Sequence, residues 1–296
     1  MSNYGVEAAG TWQLGDRVVN RMGFGSMRIT VRNERERAVQ VLRRAVELGI
    51  DHIDTAAFYF SPGGILQGED GPVRYATELI REALHPYPQG MVVATKVGPD
   101  PRADGSWGEA VTAADLRRQV EENLRRLGVE TLDLVNLRIN RPEDSITERF
   151  GALADLQSEG LIRHLGLSNV RIEHLDEVKG IAPVVCVQNA FAVDLRRHDE
   201  VLRECGVRGI AFVPFFTIAG PKREGGAAGT EGGPEEQIAA RHDATVQQVR
   251  LAWTLQQGEH VLVIPGTGDV AHLEENVAAG ALRLTDAEMA EIDQRR

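Results

Sequence analysis

The sequence predicts an α/β protein, a (β/α)8 TIM barrel with an N-terminal β-hairpin and a C-terminal extra helix, forming one unit over residues 1–296. Two features point to it. Short, almost continuous apolar runs recur along the chain, as strands buried on both faces require. Each run is followed by a stretch of helical periodicity, the alternation that builds a parallel sheet with helices outside it. A doubly wound open sheet is the competing architecture and usually carries a glycine-rich phosphate fingerprint after its first strand. Here Gly23-Phe24-Gly25-Ser26-Met27-Arg28 lacks the third glycine, so the barrel is preferred.

The elements follow in order. Thr11 to Val19 reads as a hairpin with Gly15-Asp16 at its turn. Arg21 to Gly25 is the first barrel strand, and Asn33 is expected to cap a helix running to Leu48 before Gly49. Ile50 to Asp54 is the second strand, followed by a helix from Val73 to Leu84. Met91 to Lys96 is the third, followed by a helix from Thr112 to Leu127 with Thr112 and Asp115 as a capping box. Strands at Leu132–Leu137, Ile162–Leu167 and Val184–Gln188 precede helices at Ser145–Glu159, Arg171–Val178 and Arg197–Glu204. Ile210–Pro214 and Val261–Ile264 complete the strands, with helices at Val246–Gln257, Val270–Ala278 and Asp286–Gln294. Two connections are long, Phe60 to Pro72 and Gly220 to Pro234. The first is expected to shape a substrate pocket and the second to cover a cofactor.

The 296 residues and 42% apolar content allow a core that needs no disulfide. Cys186 and Cys205 lack paired spacing and read as free thiols of a reducing compartment. No signal peptide is visible after Met1, and no apolar run approaches the ~20 residues of a spanning helix. A net charge of −11 argues against non-specific binding to nucleic acid or anionic lipid. A cytoplasmic protein, monomeric or weakly homo-oligomeric, is expected. The histidines show no two-His spacing with a carboxylate partner, so no metal site is expected.

In a barrel the chemistry sits where strands end. Asp54 ends the second strand, Tyr59 follows five residues later, and Lys96 ends the third. Each alone has an ordinary reading: a solvated carboxylate, a packed aromatic, an exposed lysine. Together they suit a proton donor. A phenol titrates near ~10 and is a poor acid at neutral pH. An ammonium beside it favours the phenolate, and a carboxylate holds the ammonium in place. Such a general acid is typically worth ~10²–10⁴-fold.

With Gly166-Leu167-Ser168-Asn169, Val187-Gln188-Asn189 and Ile264-Pro265-Gly266-Thr267 added, the chain resembles the aldo-keto reductases over its whole length. The resemblance implies reduction of a small-molecule carbonyl with NADPH, or alternatively NADH. It makes Tyr59 the acid, tuned by Lys96 and Asp54. It puts Ser168, Asn169 and Gln188 at the nicotinamide carboxamide and Phe215 where a tyrosine often stacks on the ring. It places the adenosine ribose and its 2′-phosphate near Gly266, Thr267, His272, Glu275 and Asn276. The ordinary reading of Ser168-Asn169 is a capping pair for the next helix.

Two departures from the family pattern stand out. Arg138 occupies the usual place of a fourth-strand histidine. Arginine is permanently cationic, so it can hydrogen-bond the carbonyl oxygen or hold an anionic group of the substrate. Asp269 stands where a small hydroxyl residue is usual, and His272 replaces a common arginine. Like charges ~4 Å apart at an effective dielectric of ~20 repel by ~4 kcal/mol, so an inward Asp269 would oppose a 2′-phosphate and an outward one would not. The run Val135-Asn136-Leu137-Arg138-Ile139 is similar to the bacterial pyridoxal reductase branch, although its first long loop is longer. Pyridoxal, another planar carbonyl or a secondary-metabolite carbonyl is the implied substrate. Two competing readings are a non-catalytic NAD(P)H-binding sensor and a Schiff-base lyase using Lys96.

Overall fold

In a computed structural model, residues 6–102, 104–218 and 233–294 are described. A seven-stranded sheet runs, in chain order, through Phe24–Gly25, His52–Asp54, Val92–Val97, Leu132–Arg138, Ile162–Ser168, Val184–Gln188 and Ala211–Phe212. Every neighbouring pair is parallel. Residues 261–263 join its two edges. Val261 bridges Phe212 and Val263 bridges Met22, both in parallel. The Val263 N–H donates to the Arg21 carbonyl at 2.9 Å and the Gly23 N–H to the Val263 carbonyl at 2.8 Å. The sheet thus closes, which leaves no open edge. The expected last strand is too short to count as regular, yet it makes the closure.

Two apolar layers follow from the alternation of strand side chains. Val92, Ala94, Leu134, Cys186, Ala211, Val213 and Leu262 fill the barrel interior, with Leu14 and Val19 of the hairpin Thr11–Asn20 packed against them. A larger layer lies between strands and helices, with Phe24, Phe150, Phe212 and Trp253 fully buried in it. Cys186 and Cys205 are free, as expected, and both are buried. Among the described residues no helix is long and apolar enough to cross a membrane.

Several boundaries differ from expectation. The first helix spans Arg35–Glu47 with Glu34 at its N-cap, and no side chain caps it. Asn33 is instead drawn into the long loop, where its N–H donates to Glu69 Oε2 at 2.8 Å and its Oδ1 accepts from Arg74. The expected Val73–Leu84 helix begins only at Ala76, because Arg74–Tyr75 pairs antiparallel with Phe60–Ser61. The sixth helix is shifted to Asp199–Arg208. The capping box of Thr112 and Asp115 is present. Helix Thr147–Ser158 takes its N-terminal acceptor from another helix: Glu177 Oε1 accepts from the N–H groups of Ile146 and Thr147 at 2.8 and 2.9 Å.

Candidate active site

The C-terminal ends of the barrel strands bring one group of polar side chains together. Strand register stacks the inward side chains in rows. Lys96 pairs with Asn136, Asn136 with Gly166, and Gly166 with Cys186. One row further out, Arg138 pairs with Ser168 and Ser168 with Gln188. Asp54 enters from the second strand, paired with Ala94.

Lys96 Nζ donates to both oxygens of Asp54, at 2.7 and 2.6 Å, and to the Thr55 carbonyl at 3.0 Å. Both side chains are almost wholly out of solvent. A second donor makes the third hydrogen bond to the carboxylate, Gln188 Nε2 at 2.7 Å from Oδ1. The ammonium lies 4.7 Å from the centre of the Tyr59 ring. Burial pushes the Lys96 pKa down, but the charge of Asp54 and the neighbouring Tyr59 hydroxyl outweigh it, and the net pKa is raised. Lys96 is therefore a held cation. A Schiff-base nucleophile needs the opposite, a lysine that sheds its proton. Tyr59 is partly exposed and packs edge-on against Phe58, which in turn meets Trp107. Asp54, Tyr59 and Lys96, separated in sequence, thus meet in one place.

Arg138 is partly exposed. Its Nη1 donates to Ser168 Oγ at 3.1 Å and its guanidinium lies 5.0 Å from the centre of the Phe215 ring. Asn169 adopts φ +62°, a conformation tolerated by a short polar side chain, and its Nδ2 donates to the Ile139 carbonyl at 2.8 Å. Neither Ser168 nor Asn169 caps the helix Ile172–Val178, so the ordinary reading of that pair fails. Gly98, at φ +123°, lets the loop after the third strand press against the Arg138 backbone, where a Cβ would lie 2.0 Å from the carbonyl oxygen.

The second group of expected residues lies around the start of helix Val270–Ala278. Thr267 and Asn276 are buried, Gly266 is partly so, and His272 and Glu275 are exposed. Asp269 does not point freely into a pocket. It caps this helix, accepting from the N–H groups of Ala271 and His272 at 2.9 and 3.2 Å, and it is ion-paired with Arg37.

The first long loop is tied down chiefly through one buried arginine, beside the Asn33–Glu69 contact and a bond from Ser61 Oγ to the Leu66 carbonyl. Buried Arg74 donates to the carbonyls of Thr30, Pro72 and Glu69 at 2.9, 2.9 and 2.8 Å. The second, expected over Gly220 to Pro234, lies up to residue 232 outside the described residues.

Sequence reasoning gave no role to Asn136. It is fully buried beside Lys96, and both its amide atoms lack a partner among the described residues. Gly166 makes room for it, since a Cβ there would lie 2.1 Å from Asn136 Oδ1. A polar residue inside the apolar run Leu132 to Leu137 was the available signal. Gln119 was missed as well; its Oε1 accepts from the Gly98 N–H at 2.8 Å and its Nε2 donates to the Pro99 carbonyl at 3.0 Å, fixing the turn beside Arg138.

A closed parallel barrel carrying a buried acid–lysine pair beside a phenol at its strand ends is the architecture of a carbonyl-reducing enzyme. The chain belongs to the aldo/keto reductase family, whose model matches residues 21–296, and it is an oxidoreductase. Among individual relatives it is 38% identical to pyridoxine 4-dehydrogenase of Escherichia coli strain K12, covering 97% of this chain and 98% of that one. It is 37% identical to an uncharacterized oxidoreductase of Schizosaccharomyces pombe, covering 97% and 90%. A solved aldo-keto reductase from Klebsiella pneumoniae in complex with NADPH superimposes with a TM-score of 0.79 at 25% identity, covering 96% of this chain and 94% of that one.

Proposed function

We propose that this protein reduces an aldehyde or ketone to an alcohol with a nicotinamide cofactor, with Tyr59 as the proton donor. The observation that carries the proposal is the held Lys96 ammonium, bonded to Asp54 and lying 4.7 Å from the Tyr59 ring centre.

The residues present fit such a cofactor. Gln188 Oε1 is a buried acceptor with no partner among the described residues, which suits an amide N–H donor such as a carboxamide. Ser168 and Asn169 lie at the neighbouring strand end, and Phe215 offers a partly exposed ring nearby. Gly266, Thr267, His272, Glu275 and Asn276 would hold the adenosine end. When bound, the nicotinamide supplies a hydride to the carbonyl carbon.

The remaining need is one proton at the carbonyl oxygen. Tyr59, which is partly exposed, gives it from its hydroxyl. The negative charge left on the phenol oxygen develops beside Lys96, whose position Asp54 and the Thr55 carbonyl fix before the reaction begins. Prior orientation of a charge avoids reorganisation cost at the moment of transfer. Arg138 cannot trade a proton, but its N–H groups are donors at any working pH. NADPH is the preferred cofactor, with NADH as the alternative, because the Asp269 charge is met by Arg37 and the helix start instead of facing a 2′-phosphate bare. Pyridoxal is the first substrate to try, on the similarity to pyridoxine 4-dehydrogenase.

The test is a titration of the purified protein with NADPH and NADH, then steady-state oxidation across aldehydes that include pyridoxal. Turnover of at least one carbonyl is expected. Tight cofactor binding with no turnover of any aldehyde would replace the enzyme by a binding protein.

A further inference from the structure

Arg138 differs in its partners from the buried arginines and from Arg21. Arg126, Arg149 and Arg250 each carry a carboxylate partner, in Glu122, Glu109 and Asp194. Arg74 and Arg21 have none among the described residues but spend their donors on several backbone carbonyls. Among the described residues Arg138 has one side-chain hydrogen bond, to the neutral hydroxyl of Ser168, and no carboxylate within ion-pair distance. The nearby cation, Lys96, is already matched by Asp54. Asp54, Lys96 and Arg138, at the ends of three neighbouring strands, therefore sum to one whole positive charge, and Arg138 is only partly buried.

A carbonyl oxygen accepts hydrogen bonds but does not neutralise that charge. An anionic oxygen does, and the planar guanidinium fork can engage it through two N–H groups at once. Arg138 sits one inward row beyond Lys96, about 6–7 Å further along the strand direction at ~3.3 Å per residue. That offset separates a carbonyl beside Tyr59 from a second oxygen on the same small planar molecule. Phe215 lies under the guanidinium and Phe58 packs edge-on against Tyr59, so the surroundings suit a ring.

From these relationships we infer that the substrate is a planar carbonyl compound bearing an anionic oxygen, a carboxylate or phenolate, which Arg138 binds. The inference rests on the carbonyl-reductase reading of the same site. The experiment compares kcat/KM for 3-formylbenzoate against its methyl ester, and for 2-hydroxybenzaldehyde against 2-methoxybenzaldehyde, in the wild type, Arg138→Met and Arg138→Lys. A charge-assisted hydrogen bond predicts an anion-over-neutral ratio of roughly tenfold to hundredfold in the wild type for whichever pair matches the site. The ratio falls to about one in Arg138→Met, whatever happens to the rate common to both members, and partly survives in Arg138→Lys. A wild-type ratio near one in both pairs, or a ratio unchanged in Arg138→Met, overturns the inference. Calorimetric titration with benzoate and benzamide reads the same site without turnover. If no aldehyde is reduced, the reductase reading fails, and the benzoate preference and its loss in Arg138→Met still decide whether the anion site exists.

Discussion

Lys96 and Asp54 form a two-point contact, one nitrogen shared between both carboxylate oxygens at 2.7 and 2.6 Å, with both side chains withdrawn from water. Two charges buried together are stable only while both remain, because the survivor of a broken pair keeps its desolvation cost. The pair is thus a fixed support for Tyr59 and also a structural commitment.

Tyr59→Phe removes the hydroxyl and keeps the ring packed on Phe58. Loss of a general acid is worth ~10²–10⁴-fold, so kcat should fall by at least ~100-fold. Cofactor dissociation constants, read by fluorescence titration, should stay within about threefold. Turnover near the wild-type rate would show that the proton comes from elsewhere.

Asp54→Ala leaves the Lys96 ammonium buried and unpaired. A loss of about 3–5 kcal/mol in urea unfolding is expected for that variant. Lys96→Met strands the carboxylate in the same way. The double variant should be less destabilised than the sum of the two, as contacting residues are. Additive losses would mean that the pair is not coupled.

Asp269→Ser keeps a capping oxygen but removes the carboxylate. Arg37 is then freed, and the N–H groups of Ala271 and His272 remain at a helix start that favours anions. NADPH should gain about tenfold in affinity relative to NADH, at ~1.4 kcal/mol per decade. Unchanged relative affinity would place the 2′-phosphate away from this helix.

Burial alone would push the Glu177 carboxyl up. The hydroxyls of Ser145 and Thr147 and the N–H groups of Ile146 and Thr147 outweigh it and bring the pKa from 4.5 down to about 2. A lowered folded-state pKa means that the contribution is present above pH 4.5 and is lost as pH falls towards 2. Glu177→Gln should lower Tm by roughly 2–4 °C at pH 7, and the gap should narrow as pH falls through that window. A gap independent of pH would show that the charge contributes nothing.

Much of the fold was legible because its signals are local. Apolar runs, capping residues and helix-ending glycines act within one turn or strand, and the boundaries of helix Ala113–Leu127 or strand Val184–Gln188 followed from them directly. Failures occurred where a distant partner overrode the local signal. Arg74 and Glu69 claimed Asn33, and strand pairing with Phe60–Ser61 shortened the following helix. The site residues could be named from the chain because family resemblance supplied what spacing did not.

By itself, the sequence determined that eight strand–helix units would close into a barrel, and that an acid, a phenol and an amine would stand at early strand ends. Only the tertiary structure decided that Gln188 supports Asp54 from 134 residues away, that Asp269 turns onto its own helix, and that Arg138 keeps its charge without a carboxylate among the described residues. The physical reason is register. Which side chains share a row depends on how strands align across the closed sheet, and that alignment is a property of the whole barrel.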